Sequence, residues 1–260
     1  MVQSEAQYRK EVRWCKNGDR QIYGAAFCPA AEGRHPLVIF SHELGSNHRT
    51  GIPYAKRLAA MGYAFYAFDF CGGSAAGGQS DGKTTEMTVS SELSDLEAVL
   101  NTAKTWEFVD PERIVLMGGS QGGVVSAMAA SGHQDAIRGL ILLYPAFSAV
   151  DHIHALFPST DAIPEEFDMF GGWIRLGRCY ARDLWDRDFY SMLQEYSGRV
   201  LLLHGDCDHT VPISYSERAA GALQNCTFYV IPGGDHIFSG SQAALAAEYI
   251  SDFLKNILTV

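Results

Sequence analysis

No run of apolar residues in this sequence approaches the ~18 needed to cross a bilayer. Its start, Met1 to Lys10, carries Glu5, Arg9 and Lys10 where a secretory leader would place an apolar core. A soluble, cytoplasmic protein is the expectation. Basic residues are in deficit: 20 Lys and Arg stand against 30 Asp and Glu, for a net charge of -10 and a pI near 5.3. No local basic cluster offsets that balance, so phosphate backbones and anionic membrane surfaces are repelled, and nucleic acid and membranes are excluded as partners. The six cysteines, Cys15, Cys28, Cys71, Cys179, Cys207 and Cys226, are scattered without a Cys-x-x-Cys pair and read as reduced thiols. His152 and His154 have no third ligand nearby in sequence, so no metal site and no cofactor are expected. Internal repeats and low-complexity segments are also missing.

With 260 residues, 47% of them hydrophobic, the chain can bury one large core. Short apolar β-type runs occur at Leu37 to Phe40, Ala64 to Phe68, Ile114 to Met117, Leu140 to Leu143, Val200 to Leu203 and Thr227 to Ile231, and predict buried strands. Helical periodicity fits Tyr54 to Ala60, Leu93 to Ala103, Gly122 to Ala130, Tyr215 to Leu223 and Ala243 to Ile257. Alternating helices and doubly apolar strands imply an α/β fold with a mostly parallel central sheet between helices. Val12 to Cys15 and Gln21 to Phe27, joined at Asn17-Gly18, predict an antiparallel hairpin at the sheet's edge.

The rhythm fails between Tyr144 and Gly198, where Phe147, Phe157, Phe167, Trp173, Tyr180 and Trp185 are among many aromatic residues. A linker would be poor in aromatics. The expected division is therefore a core at 1-144 and 199-260, with 145-198 inserted as a cap that packs over it.

Arg113-Ile-Val-Leu-Met-Gly-Gly-Ser120-Gln-Gly-Gly123 runs from a strand through Gly118-x-Ser120-x-Gly122 into a small-residue helix. A turn this tight exposes the Ser120 hydroxyl above the sheet and leaves no room for side chains two residues to either side. Such a hydroxyl needs a base and a carboxylate to orient it. Pro232-Gly-Gly-Asp-His236 follows the last strand and supplies the base, while Gly205-Asp206-Cys-Asp208 follows the one before it and offers two acids.

These loops, with Phe40-Ser-His42-Glu43-Leu44-Gly45, cover nearly the whole core, and the chain resembles the α/β-hydrolase superfamily. The resemblance implies Asp208 as the acid, since Gly-x-x-Asp-x-x-Val-Pro is similar to the acid loop of those enzymes; Asp206 is then a loop-capping residue. It also implies an oxyanion hole from the backbone N–H groups of Leu44 and Gln121. Relatives show His-Gly where this chain has His42-Glu43; the expectation is that Glu43 points to solvent, the alternative that it meets a cationic or hydroxylated substrate.

Within the superfamily, Asp69-Phe-Cys-Gly-Gly-Ser-Ala-Ala-Gly-Gly-Gln-Ser80-Asp81-Gly82-Lys83, Met87-Thr88-Val89 and Glu92-x-x-Asp95 are similar to small bacterial cinnamoyl (feruloyl) esterases. That likeness implies a serine esterase acting through an acyl-enzyme on small or aromatic, hydroxycinnamate-type esters. Substrate contacts would come from His42, Glu43, Trp173 and Tyr180. A serine peptidase of the prolyl-oligopeptidase type and a non-catalytic binding protein on this fold are the competing readings. Monomer and homodimer are both open.

Overall fold

The computed structural model describes residues 8–258. β1 (Tyr8–Asn17) and β2 (Arg20–Pro29) form a hairpin, longer than its apolar residues suggest because β1 alternates exposed and inward positions along an outer edge. Its tight turn is Gly18–Asp19, one residue beyond the expected pair, with Gly18 at φ 58°. Positive φ at that place matches the twist of the flanking strands. There follow β3 (His35–Ser41), α1 (Ile52–Ala60), β4 (Ala64–Phe68), α2 (Val89–Ala103), β5 (Val109–Gly119), α3 (Gln121–Gly132) and β6 (Gly139–Leu143). Next come α4 (Ala149–Leu156), a small antiparallel pair β7 (Glu166–Met169) and β8 (Ile174–Gly177), α5 (Arg178–Leu184) and α6 (Phe189–Glu195). The chain ends in β9 (Val200–Gly205), α7 (Ser214–Ala222), β10 (Cys226–Ile231) and α8 (Ser241–Leu258).

The main sheet has the order β1-β2-β4-β3-β5-β6-β9-β10. β2 pairs antiparallel with β4, and every pairing from β4 onward is parallel. Period-two alternation divides the strand residues between two cores. Leu37, Ile39, Ile114, Leu116, Leu140 and Leu142 face α2 and α3, whereas Val38, Phe40, Val115, Met117, Ile141 and Leu143 face α1 and α8. A sheet covered on both faces needs apolar side chains at every strand position, which is why these runs are continuous. β10 departs from the expected burial. It is the outer strand, Tyr229 and Val230 are 40% and 41% exposed, and Tyr229 stacks on Tyr249 of α8 with ring centroids 4.2 Å apart.

α2 starts four residues before its predicted Leu93 (from Val89) because Thr88 and Ser91 form a reciprocal capping box that satisfies N–H groups of the first turn. The interval between β6 and β9 packs on the α2–α3 side through Phe147, Ile153, Tyr180, Leu184, Phe189 and Leu193. Among the described residues, no helix is long and apolar enough to cross a membrane. Leu142 is fully buried in the middle of the sheet. Leu142→Ala is expected to destabilise the protein by about 2–5 kcal/mol, read as a lower urea midpoint with little change in slope.

Candidate active site

β5 ends at Gly119, the chain turns at Ser120, and α3 begins at Gln121. Ser120 sits at φ 51°, ψ -119°, a conformation that non-glycine residues adopt at a cost. Its N–H donates to Leu143 O (2.9 Å), and its carbonyl accepts from Gly123 N (3.0 Å) and Ala146 N (3.1 Å). A methyl group on Gly118 would run into the Gly122 carbonyl, and one on Gly122 into the carbonyls of Ser41 and His42. Here backbone packs directly on backbone, which only glycine permits.

The loops that follow β5, β9 and β10 meet at the carboxyl ends of the parallel strands, the usual place for a site in such sheets. Ser120 Oγ lies 3.0 Å from His236 Nε2, and His236 Nδ1 lies 2.7 Å from Asp208 Oδ2. With Nδ1–H donating to Asp208, Nε2 is left to accept the serine proton. Asp208 Oδ1 accepts from the N–H groups of Thr210 (2.8 Å) and Val211 (2.9 Å). Burial opposes ionisation of Asp208, but hydrogen bonding from His204, His236 and Val211 outweighs it and holds the carboxyl well below the ordinary carboxylate range. Asp206 faces elsewhere and caps Gly233 N at 2.7 Å.

Leu44 lies in the loop after β3, beside the elbow, and the N–H groups of Leu44 and Gln121 donate to no other group among the described residues. His42 is fully enclosed behind this loop. Its Nδ1–H donates to the Glu43 carbonyl (2.7 Å) and its Nε2 accepts from Phe70 N (3.1 Å). Burial pushes its pKa down despite the bond to Glu43, which suits a ring that must accept at Nε2. His42 therefore orders the loop backbone and lines none of the cavities at Ser120, contrary to the expected substrate contact. Glu43 does not point to solvent either. Tyr144 OH donates to its Oε1 (3.0 Å) and Thr50 Oγ1 to its Oε2 (2.9 Å).

Cavities open on both sides of Ser120. One of about 50 Å³ is lined by Leu44, Gln121, His152, Ile153, Met169 and Tyr180, and the other, of about 340 Å³, by Glu43, Thr50, Phe170, Trp173, His236 and Ile237. Tyr180 is buried and its hydroxyl donates to Gln121 Oε1 (2.6 Å), while Gln121 Nε2 donates to Glu92 Oε2 (2.8 Å). Trp173 closes over Gly45, where any side chain would meet its ring. Among the described residues, no group of three or more His, Cys, Asp or Glu is disposed to hold a metal ion.

The prolyl oligopeptidase family model matches residues 53–260. The chain belongs to that family. YfhR of Salmonella typhi is 28% identical over 240 residues, covering 90% of this chain and 77% of that protein. The structure of Est1E from Butyrivibrio proteoclasticus with bound ferulic acid superposes with a TM-score of 0.86 at 26% identity, covering 95% of this chain and 100% of that one. The esterase EaEST from Exiguobacterium antarcticum shares the fold, with a TM-score of 0.73 at 18% identity over 94% of this chain and 100% of that one. The protein is an α/β-hydrolase that resembles cinnamoyl esterases.

Several residues of the site carry no local motif. His204, at the end of β9, is fully buried with Nε2 at 2.9 Å from Val211 O and 3.1 Å from Asp208 Oδ2, so its proton is shared between them. Ser216 Oγ lies 2.6 Å from its other nitrogen. Spacing could have flagged His204, four residues ahead of Asp208. Tyr144, at φ 38°, lays its ring 4.9 Å from that of His236. Glu92, on the first turn of α2, ends the chain of hydrogen bonds behind Gln121, and its Oε1 has no partner.

Burial raises the Glu92 carboxyl from an ordinary 4.5 to about 8, against the lowering effect of the Gln121 hydrogen bond. The folded state thus holds a proton that the unfolded state has released, so the contribution is complete at low pH and is lost as pH rises through about 8. Thermal unfolding of wild type and Glu92→Gln from about pH 5 to about pH 9 should show the wild type losing stability relative to the variant as pH rises. Each pH unit crossed between the unfolded and folded values changes stability by about 1 kcal/mol, or about 2–4 °C in a chain of this size. Parallel curves would remove this role for Glu92.

Proposed function

We propose that this protein is a serine carboxylic-ester hydrolase working through an acyl-enzyme, with Ser120 as nucleophile, His236 as base and Asp208 as the acid that orients and stabilises the imidazolium. The unbroken hydrogen-bonded line Ser120–His236–Asp208 carries the reading. Ser120 Oγ attacks the ester carbonyl as His236 takes its proton, and His236 returns that proton to the departing alcohol as the carbon–oxygen bond breaks. A water molecule deprotonated by His236 then attacks the acyl-enzyme, releasing the carboxylic acid and restoring Ser120. The N–H groups of Leu44 and Gln121 stabilise the oxyanion, each such donor contributing about 2.7–4 kcal/mol in comparable sites. His42 fixes the loop that presents Leu44, and Tyr180 steadies the side chain of Gln121.

The leaving group must lie beside His236, so the 340 Å³ cavity, which His236 lines, takes the alcohol, and the 50 Å³ cavity takes the acyl group beneath a cap formed by 145–198. An apolar cavity of about 150 Å³ is enough to hold benzene, so the 50 Å³ cavity suits small acyl groups as it stands. The likeness to Est1E with bound ferulic acid supports the aromatic acyl group as well. A second reading, a peptidase-like acyl hydrolase, draws support from the family match over residues 53–260.

Ser120→Ala should lower turnover of p-nitrophenyl acetate at least about 10³-fold while the thermal transition stays within a few degrees of wild type, since members of such a line act as a unit. Undiminished turnover would sink the nucleophile assignment. For the substrate class, rates on p-nitrophenyl esters of rising chain length, methyl ferulate and aminoacyl anilides should favour short acyl esters, with methyl ferulate cleaved and the anilides inert. Efficient cleavage of the anilides would select the peptidase reading instead.

A further inference from the structure

The carboxylate of Glu43 lies against the elbow: a side chain on Gly119 would come within 2.5 Å of Oε1. The hydrogen bonds from Tyr144 and Thr50 fix its direction but occupy only part of its capacity, because a carboxylate accepts at roughly four positions. Among the described residues, no Lys, Arg or His nitrogen is within salt-bridge distance of it. Arg57, which lines a further cavity with it, donates instead to Ser251 Oγ (3.2 Å), so Glu43 is an acid without an ion-pair partner on the wall of the 340 Å³ cavity that also contains Ser120 and His236.

Most of the remaining wall surface is apolar and open, with Ser46, Thr50 and Thr210 adding hydroxyl groups to it. Phe170 is 48% exposed, Trp173 54% and Ile237 63%, and all of them line this same cavity. A carboxylate combined with accessible aromatic faces is the chemistry that holds an alkylammonium group, through charge and cation–π attraction. The net charge of -10 draws cations toward the protein and repels anions. We propose that Glu43, with Trp173 and Phe170, makes the leaving-group side of the site selective for cations, so that preferred substrates are esters of an alcohol bearing an alkylammonium group. The inference rests on the acyl-enzyme reading and on His236 marking the alcohol side. Glu43 could instead serve only to hold Tyr144 against His236, and substrate charge separates these roles, since a purely structural Glu43 would affect charged and neutral esters alike.

The test compares acetylthiocholine with its neutral isostere, S-(3,3-dimethylbutyl) thioacetate, by thiol release, with p-nitrophenyl acetate as a reference ester. Wild-type kcat/KM should favour the cation by about tenfold at low ionic strength, in keeping with a partly exposed cation site, and the ratio should shrink as salt is added. Glu43→Gln, which keeps hydrogen-bonding groups in place, should bring the ratio to within about twofold of one, and Trp173→Leu should lower it partway. Turnover of p-nitrophenyl acetate with no preference for the cation, or a preference that survives Glu43→Gln, overturns the role given to Glu43 alone. No turnover of any of these esters removes the acyl-enzyme reading, and this inference with it.

Discussion

The backbone of Ser120 is held at φ 51° by bonds that reach three parts of the sheet region at once. Its N–H is tied to the end of β6 at Leu143, its carbonyl to Ala146, and the turn itself presses on the end of β3 through Gly122. Strain of this kind costs about 1–3 kcal/mol and persists only when its surroundings over-determine it. The parallel register of β3, β5 and β6 supplies that determination, since it brings Ser41, Gly118 and Leu142 into one row. Leu44, Gln121 and Tyr144 all hang from the ends of these same strands or from the turn, so the geometry around the serine is inherited from the sheet.

The acids near the elbow are sorted by their hydrogen bonds. Asp208 is buried yet receives backbone and imidazole donors and is kept ionised, whereas Glu92 receives one side-chain amide donor and is kept largely protonated near neutrality. The difference follows from donor count set against desolvation, not from depth alone. Each state suits its position. A charge beside His236 favours the imidazolium, while a neutral acid behind Gln121 leaves the amide free to bond Tyr180 without a buried charge to compensate.

Most of the fold was legible because its signals are local: β-runs with both faces apolar, helical periods between them, and glycine-bound loops after the strands. The loops that carry Ser120, Asp208 and His236 could be read for the same reason, each being a short string following a strand. What could not be read depends on contacts between distant parts of the chain. Glu92 meets Gln121 across 29 residues, Tyr180 meets it across 59, and Glu43 meets Tyr144 across 101. Periodicity places such residues on a face and says nothing of the partner opposite. His42 illustrates the converse: a histidine in the loop after β3, close to the elbow, suggests contact with substrate, yet both its nitrogens are consumed by backbone.

The placement of Glu43 also bears on why the segment 145–198 has so many aromatic residues. Tyr180, Phe189 and Tyr196 are spent on the packing of that segment against the core, whereas Phe170 and Trp173, which flank Gly171 and Gly172 directly after β7, remain open to solvent. Phe170 itself takes φ 52° and is followed by Gly171 and Gly172 at positive φ. A bend of this kind turns the segment's apolar rings away from its own interior and toward the cavity at His236. Their large exposed area would be a liability on a surface with no ligand to cover it. Set opposite an acid with no ion-pair partner among the described residues, the rings complete a surface suited to a cation, so the packing of the segment, the bend at Phe170 and the placement of Glu43 bear on one site.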